Sequence, residues 1–470
     1  MTFKNSQNKP NIVFILSDDQ GAWAMGCAGN TEIKTPNLDR LATNGIRFEN
    51  FFCTSPVCSP ARASMLTGRI PSQHGVHDWI REGNTKDNPI EYLENQLTYV
   101  DLLAKSNYTC GISGKWHLGN STLPQKGFTH WYVHESGGGP YYNAPMIRNG
   151  ERIIEPEYIT DAITNDALQF IDKNSKSDQP FYLSVHYTAP HSPWVGHHPQ
   201  EYLDLYSDCT FDSCPIEENH PWMIKNPPGY QHSREKNLQG YYAAVSAMDM
   251  NIGRILDKLE QLGLSENTLV CFFGDNGMNM GHHGIWGKGN GTFPQNMYDT
   301  SVKVPAILSQ PGRIPLGKVN DSLLSGYDFM PTILEYVGIE NPISNELPGK
   351  SFNYILEDKE IEERESVVVF DEYGPVRMIR SKEWKYVHRY PYGPHELYDL
   401  VNDPDEKNNL IDVPQLNDIV SKMREQLDEW FFQFVDPAID GAREPVYGNG
   451  QISLAGKKSK GKKSYATWDE

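Results

Sequence analysis

The sequence predicts an α/β protein in which a large mixed β-sheet is sandwiched by helices and followed by a smaller α+β domain carrying an antiparallel sheet. Three observations carry this expectation. Short apolar runs, several of them ending in acids, alternate with helix-periodic segments, the pattern of strands joined by helical crossovers. Near residue 345 the texture changes to short strand-like runs separated by turn residues, as in an antiparallel sheet. The chain has 470 residues, more than one hydrophobic core usually holds. The segments divide as 1–345, 346–440 with a closing helix, and a tail at 441–470 that is partly flexible.

The elements follow in order. NIVFILSDD reads as a buried strand with Asp18 and Asp19 at its carboxyl end. TPNLDRLATNGIRF is a helix with Leu38 and Leu41 on one face and Gly45 as its stop. PARASMLTG opens another, with Pro60 in the first turn, where its missing N–H costs nothing. TYVDLLAKSNYTCGISGKWHLG reads as helix, turn and strand, and EYITDAITNDALQFIDK as a periodic helix. PFYLSVHYTAPH is a strand running into a loop. LQGYYAAVSAMDMNIGRILDKLEQLGL is a long amphipathic helix ending at Gly263. NTLVCFFGDNG is a strand ending in Asp275 and Asn276. VPAILSQPG and YDFMPTILEYVGI add a strand and a helix. Beyond a charged connector, VVVFDEYG, VRMIRSKEWKYVHRY and HELYDL are short strands, and DVPQLNDIVSKMREQLDEWFFQFV is the closing helix. GKKSKGKKSYATWDE reads as a solvated, flexible end.

Composition narrows the partners. A formal charge of −19 argues against nucleic acid, which needs clustered Lys and Arg. An anionic substrate must therefore meet a local basic pocket. No segment approaches the length of a membrane span. The amino-terminal stretch holds only the short apolar run IVFIL, which predicts a cytoplasmic protein; a removed leader with a periplasmic or secreted location is the alternative. Seven cysteines leave at least one unpaired, and Cys209 and Cys214 are expected to be reduced. No CxxC or matched His pair suggests zinc. The 25 Tyr and 10 Trp suit a carbohydrate-facing surface as well as a large core.

Two pairs of residues at strand ends, Asp18 with Asp19 and Asp275 with Asn276, together make an oxygen-rich set suited to Ca²⁺ or Mg²⁺, although for either pair alone turn chemistry is the better reading. Cys58, in CSPARASMLTGR, could be a core thiol, half of a disulfide, a nucleophile or a precursor. Pro60 and Arg62 go beyond what thiol activation requires.

CSPARASMLTG fits C-x-P-x-R followed by x-x-x-L-T-G at every fixed position, and so resembles the type I, formylglycine-dependent sulfatases of the alkaline phosphatase superfamily. PNIVFILSDDQG, TPNLDRLATNGIRFENFF, GKWHLG, APHSPW, TLVCFFGDNG and GHHGIWGKG are similar to further motifs of that family in the same order. RSKEWKYV with ELYDLVNDPDEKNNL resembles its small C-terminal domain. The resemblance implies that Cys58 is oxidised to formylglycine, whose hydrate attacks sulfur and gives a covalent sulfo-enzyme. It implies metal ligation by Asp18, Asp19, Asp275, Asn276 and residue 58, with Arg62 orienting the formylglycine. Lys115 and Lys288 would hold sulfate oxygens, His117 would partner the formylglycine hydroxyl, and His191 would protonate the leaving alcohol. His283 aligns with a position that approaches substrate.

Each residue also has a plainer reading. Lys115 and His117 could alternate on a strand with a solvated face, His191 could cap a loop, and His282 and His283 could be core. The oxygen-rich ligand set favours Ca²⁺ over Mg²⁺. The expected substrate is a sulfated sugar attacked in exo fashion. A transient formylglycine-generating enzyme is the implied partner, and monomer and homo-oligomer remain open. A phosphonate monoester or phosphodiester hydrolase, or a silent carbohydrate-binding relative, is the rival reading. Two stretches depart from the family pattern: NGTFPQNMYDTSVKVPAIL, which makes a long loop between Lys288 and the VPAIL strand, and DPAIDGAREPVYGNGQ, which reads as a structural tail in preference to one whose Arg443 folds back towards the site.

Overall fold

The computed structural model describes residues 9–85, 87–227, 231–359 and 368–467. Its centre is a mixed ten-stranded sheet. Across the sheet the strands run Lys318–Asn320, Ile46–Phe48, Ala306–Ser309, Thr268–Gly274, Asn11–Ser17, Phe181–His186, Thr109–Gly114, His130–His134, Ala144–Arg148 and Glu151–Glu155. The strands from Thr268–Gly274 to His130–His134 are parallel; Ala306–Ser309 and the Ala144–Glu155 pair are antiparallel to their neighbours.

The central strands are buried almost throughout because both faces are covered, as parallel sheets require. Along Asn11–Ser17 the faces alternate. Ile12, Phe14 and Leu16 pack with the helices Cys58–Thr67, Tyr99–Lys105 and Phe329–Tyr336. Val13 and Ile15 pack with Pro36–Thr43, Ile159–Asn174 and Arg234–Gln261. Leu38 and Leu41 are buried, as their spacing predicts. The long helix stops before Gly263, which adopts φ +67. Among the described residues, no helix is long and apolar enough to cross a membrane.

The second expected layer is a four-stranded antiparallel meander of Val369–Tyr373, Val376–Arg380, Trp384–Arg389 and Glu396–Asp399. The helix Asn417–Phe434 lays Met423, Leu427 and Phe431 against Phe370, Ile379 and Tyr386. Part of the charged connector before this sheet, 360–367, lies outside the described residues.

Of the stretch expected to be a solvated end, 456–467 is described: its lysines are exposed, but 464–466 pair with the preceding segment, Ile452 N–H donating to the Ser464 carbonyl (2.8 Å) and Ala466 N–H to the Gly450 carbonyl (2.9 Å). Val446, Gln451, Tyr465 and Ala466 are buried, while Lys457, Lys458, Lys460, Lys462 and Lys463 are exposed. Backbone pairing is the physical reason. Gln451 N–H donates to the Trp79 carbonyl (2.7 Å), and Arg81 N–H donates to the Gln451 carbonyl (2.9 Å). Apolar periodicity does not report such pairing, which needs no hydrophobic side chain.

Candidate functional site

The candidate residues gather at the carboxyl ends of four adjacent parallel strands, where ligands of open α/β sheets collect. Register brings them together. Ser17 lies opposite Gly274, so Asp18–Asp19 and Asp275–Asn276 emerge side by side. Gly114 lies opposite His186, so the segments leading to Lys115 and His191 also meet. Gly114 is required here: at φ +116, an added Cβ would stand 1.9 Å from the His186 carbonyl oxygen. Cys58 opens the helix Cys58–Thr67 beneath these ends, with Gly68 closing it in the left-handed region.

Lys115 and His117 lie past the end of Thr109–Gly114 and are both buried, so a solvated strand face is ruled out. His117 and Asp19 have φ of 55 and 60. Such conformations cost energy in residues other than glycine and concentrate at functional sites.

The hydrogen bonds form one connected set. Arg62 Nε donates to Asp275 Oδ2 (2.9 Å) and its Nη1 to the Lys115 carbonyl (3.0 Å). Lys115 Nζ donates to Asp18 Oδ2 (2.5 Å). Lys288 Nζ reaches Asp19 Oδ1 and donates to Cys58 Sγ (2.9 Å). Asn276 Nδ2 donates to Asp19 Oδ1 (2.9 Å). His191 Nδ1 contacts the Ser192 carbonyl (2.7 Å), and its Nε2 lies 3.6 Å from Asp19 Oδ2. The contact to a carbonyl assigns the His191 proton to Nδ1 when the ring is neutral. By the same argument His117 carries its proton on Nε2, 2.9 Å from the Ile80 carbonyl, and leaves Nδ1 bare. Gly137 covers this ring; a Cβ there would fall 2.0 Å from His117 Nε2. Ser59 ties the pieces together, donating to the His117 carbonyl (2.9 Å) and accepting from Ile80 N–H (3.0 Å).

Charges in the cluster follow from these contacts. Burial pushes Asp18 up, but Lys115, backed by His191, Arg62 and Lys288, outweighs it and holds the carboxyl well below its usual range. Burial and the Asp18 charge push Asp275 up to about 6, against Arg62 and the lysines. Burial opposes the charge on Lys288, yet Asp19 keeps that ammonium well above its ordinary value. Burial, helped by Lys115, pushes His117 well below the imidazole value, so its ring is neutral. Burial pushes the Cys58 thiol up to about 12, although Lys115 and Lys288 pull the other way. All seven cysteines are free, which removes the disulfide reading of Cys58.

The residues fit a hard cation. Asp18 Oδ1 and Asn276 Oδ1 are buried acceptors that find no hydrogen-bond donor among the described residues, a need which a cation would satisfy. Ligand atoms of Asp18, Asp19, Cys58 and His191 lie within 4.8 Å of one another. Asp275 is differently placed: its Oδ1 accepts from the backbone N–H groups of Asp19 (3.2 Å) and Asn276 (2.8 Å).

A cavity of about 580 Å³ opens onto Asp19, Cys58, His117, His191 and Lys288. Lys115 is behind Asp18 and does not line it. His283 does not line it either: the ring stacks on Tyr298 at 3.7 Å and 10°. Arg443 is also away from it, exposed beside Asp440. The long loop after Lys288 does reach the cavity through Asn290 and Gly291, and Asn296 Nδ2 steadies the Lys288 carbonyl (3.0 Å). Trp79, Arg81 and Asn84 join the wall without having been expected there. Their segment carries no motif, and only its proximity to Cys58 in sequence was available as a signal.

Comparison with known proteins gives the family. The Sulfatase family model matches residues 10–339, and a model described as N-sulphoglucosamine sulphohydrolase, C-terminal, matches residues 281–433. The chain is 31% identical to an ulvan-active sulfatase of Formosa agariphila, over 91% of this chain and 82% of that one. It is 28% identical to an N-acetylglucosamine-6-O-sulfatase of Bacteroides thetaiotaomicron, over 96% and 91%. A solved structure of a protein in complex with its substrate D-glucosamine-2-N,6-O-disulfate superposes with a TM-score of 0.78, at 26% identity, over 92% of this chain and 99% of that one.

Proposed function

The chain belongs to the sulfatase family, whose members are sulfuric ester hydrolases, and from that premise we propose that it removes sulfate in exo fashion from a sulfated carbohydrate, using formylglycine at residue 58 and a divalent cation, Ca²⁺ in preference to Mg²⁺. The observation that carries this reading is the placement of Cys58 Sγ at the floor of the cavity, 2.9 Å from Lys288 Nζ and beside the carboxylates. The substrates named for the relatives, ulvan and sulfated glucosamines, support a sugar.

Asp18, Asp19, Asp275 and Asn276, with residue 58, would hold the cation; it supplies Lewis-acid stabilisation of the negative charge at the reacting centre. The formylglycine hydrate supplies the nucleophile and, through its second hydroxyl, a way to release sulfate afterwards. A maturation enzyme is the implied transient partner.

The chain's own residues do the rest. Asp18, Asp19 and Asp275 face Arg62, Lys115 and Lys288, a balanced set. A divalent cation added to this set leaves positive charge in surplus, which suits an anionic ester in a protein that is otherwise strongly acidic. Lys288, at the cavity wall, is placed to hold a sulfate oxygen. Lys115 acts from behind Asp18, fixing that carboxylate and adding field. Arg62 locks Asp275 to the backbone of Lys115. Neutral His117, with bare Nδ1, can accept a proton, and His191, when both of its ring nitrogens are protonated, can deliver one from Nε2 to the departing alkoxide.

Sulfate release from a panel of singly sulfated monosaccharides and disaccharides, with a phosphodiester beside them, tests the reading. Release from one sugar is expected. Cleavage of the phosphodiester alone would transfer the protein to the rival chemistry. Chelation followed by dialysis should abolish turnover and lower Tm, because a ligand bound only to the native state stabilises it by about 4 kcal/mol at a thousandfold excess over Kd. Restoration by Mg²⁺ but not by Ca²⁺ would overturn the choice of ion.

A further inference from the structure

The tail segment 446–453 packs against the back of the cavity wall. The Gly448 carbonyl accepts from Trp79 Nε1 (3.1 Å) and from Asn290 Nδ2 (3.2 Å). Both donors line the cavity with Cys58 and Lys288, yet one closely follows the Cys58 motif and the other lies 211 residues further along the chain. One backbone oxygen, 369 residues from Trp79, therefore sets the position of two side chains.

The rest of the segment is built around that contact. A Cβ on Gly450 would lie 2.8 Å from Arg81 Cβ and 3.1 Å from the six-membered ring of Trp79, so the backbone packs directly on the indole. A Cβ on Gly448 would lie 2.9 Å from Asn290 Cβ, at φ +81. Both glycines are thus needed for close approach. Gly450 N–H donates to Asp78 Oδ2 (3.0 Å), whose other oxygen accepts from Tyr373 OH (2.6 Å). Gln451, fully buried, accepts from His77 N–H (2.9 Å) and donates to the Gly75 carbonyl (2.9 Å). Gln295 Nε2 holds the Val446 carbonyl (2.9 Å).

A half-buried indole beside an amide is a surface for a sugar: the ring takes an apolar C–H face, and the amide takes hydroxyls. Neither group is bonded to the acids or cations around residue 58. We propose that residues 446–453 form a specificity strap, which positions Trp79 and Asn290 to bind the ring that carries the sulfate. The strap governs recognition of the sugar and leaves the sulfur chemistry to the strand ends. This rests on the sulfated-sugar reading above.

The test compares Trp79→Phe, which keeps a ring but deletes the N–H to Gly448, and Gly448→Ala with the wild type. Each is assayed for kcat and KM on the cleaved sulfated sugar and on a small aryl sulfate, with Tm recorded. The expected result is a rise in KM for the sugar, with its kcat/KM relative to the aryl ester falling about tenfold. An equal loss on both esters, or no change in either, overturns the strap. Should Gly448→Ala fail to fold, Trp79→Phe decides alone. A wild type that releases sulfate from the aryl ester but from no sugar defeats the substrate reading, and the strap's role with it. Wild-type activity on a sugar, unaltered in the variants, defeats the strap alone.

Discussion

Protein whose residue 58 is still a thiol is expected to release sulfate no faster than Cys58→Ala, with both at least roughly 10⁴-fold below the matured enzyme. The geometry gives the reason. A nucleophilic cysteine of the ordinary kind is paired with a neighbouring base. Among the described residues Sγ is hydrogen-bonded to Lys288, and no histidine is bonded to it as a base. A sulfated thiol would also lack the second hydroxyl by which the group can be expelled. The measurement pairs sulfate release with the mass of the peptide spanning residue 58, in batches of differing conversion. Rate proportional to the formylglycine fraction is the expected outcome. Turnover by fully thiol protein would end the assignment.

His191→Ala should lower kcat on a sugar sulfate by about 10²–10⁴-fold, the usual contribution of general acid catalysis. On an aryl sulfate the loss should be much smaller, because a phenolate leaves without a proton. His191 lines the cavity, is fixed through Nδ1 at the Ser192 carbonyl, and keeps Nε2 for chemistry near Asp19. A series of esters with graded leaving groups reads this directly. If the loss is the same for good and poor leaving groups, His191 is a binding group and not the acid.

The parts of this molecule legible in the sequence are those encoded by local pattern. NIVFILSDD and TLVCFFGDNG announce strands because they are apolar on both faces, and their terminal acids follow from where those strands end. CSPAR placed Cys58 and Arg62 on a helix start by motif and by Pro60. Pairing across hundreds of residues was not legible. Nothing local to Arg62 says that its partner is Asp275, 213 residues on. Lys115 matched a motif, but only tertiary register shows that it stands behind Asp18 and off the cavity. His283 matched one too, and its stacking on Tyr298 depends on how a loop folds. The strap's sequence reads as a tail because its contacts are made by backbone and by Gln451, which carry no hydrophobic period.

The 213 residues between Arg62 and Asp275 also set a clock. The central strand Asn11–Ser17 is flanked by Phe181–His186 and Thr268–Gly274, so it gains its second neighbour only when the chain is more than half made. At about 5–20 residues per second, the interval between synthesis of residue 62 and of residue 275 is roughly 10–40 s. Through that interval the Cys58 segment has no completed sheet above it and no Asp275 to anchor Arg62. A co-translational oxidation of residue 58 therefore has tens of seconds in which to act, and the long crossover connections of this topology supply that delay.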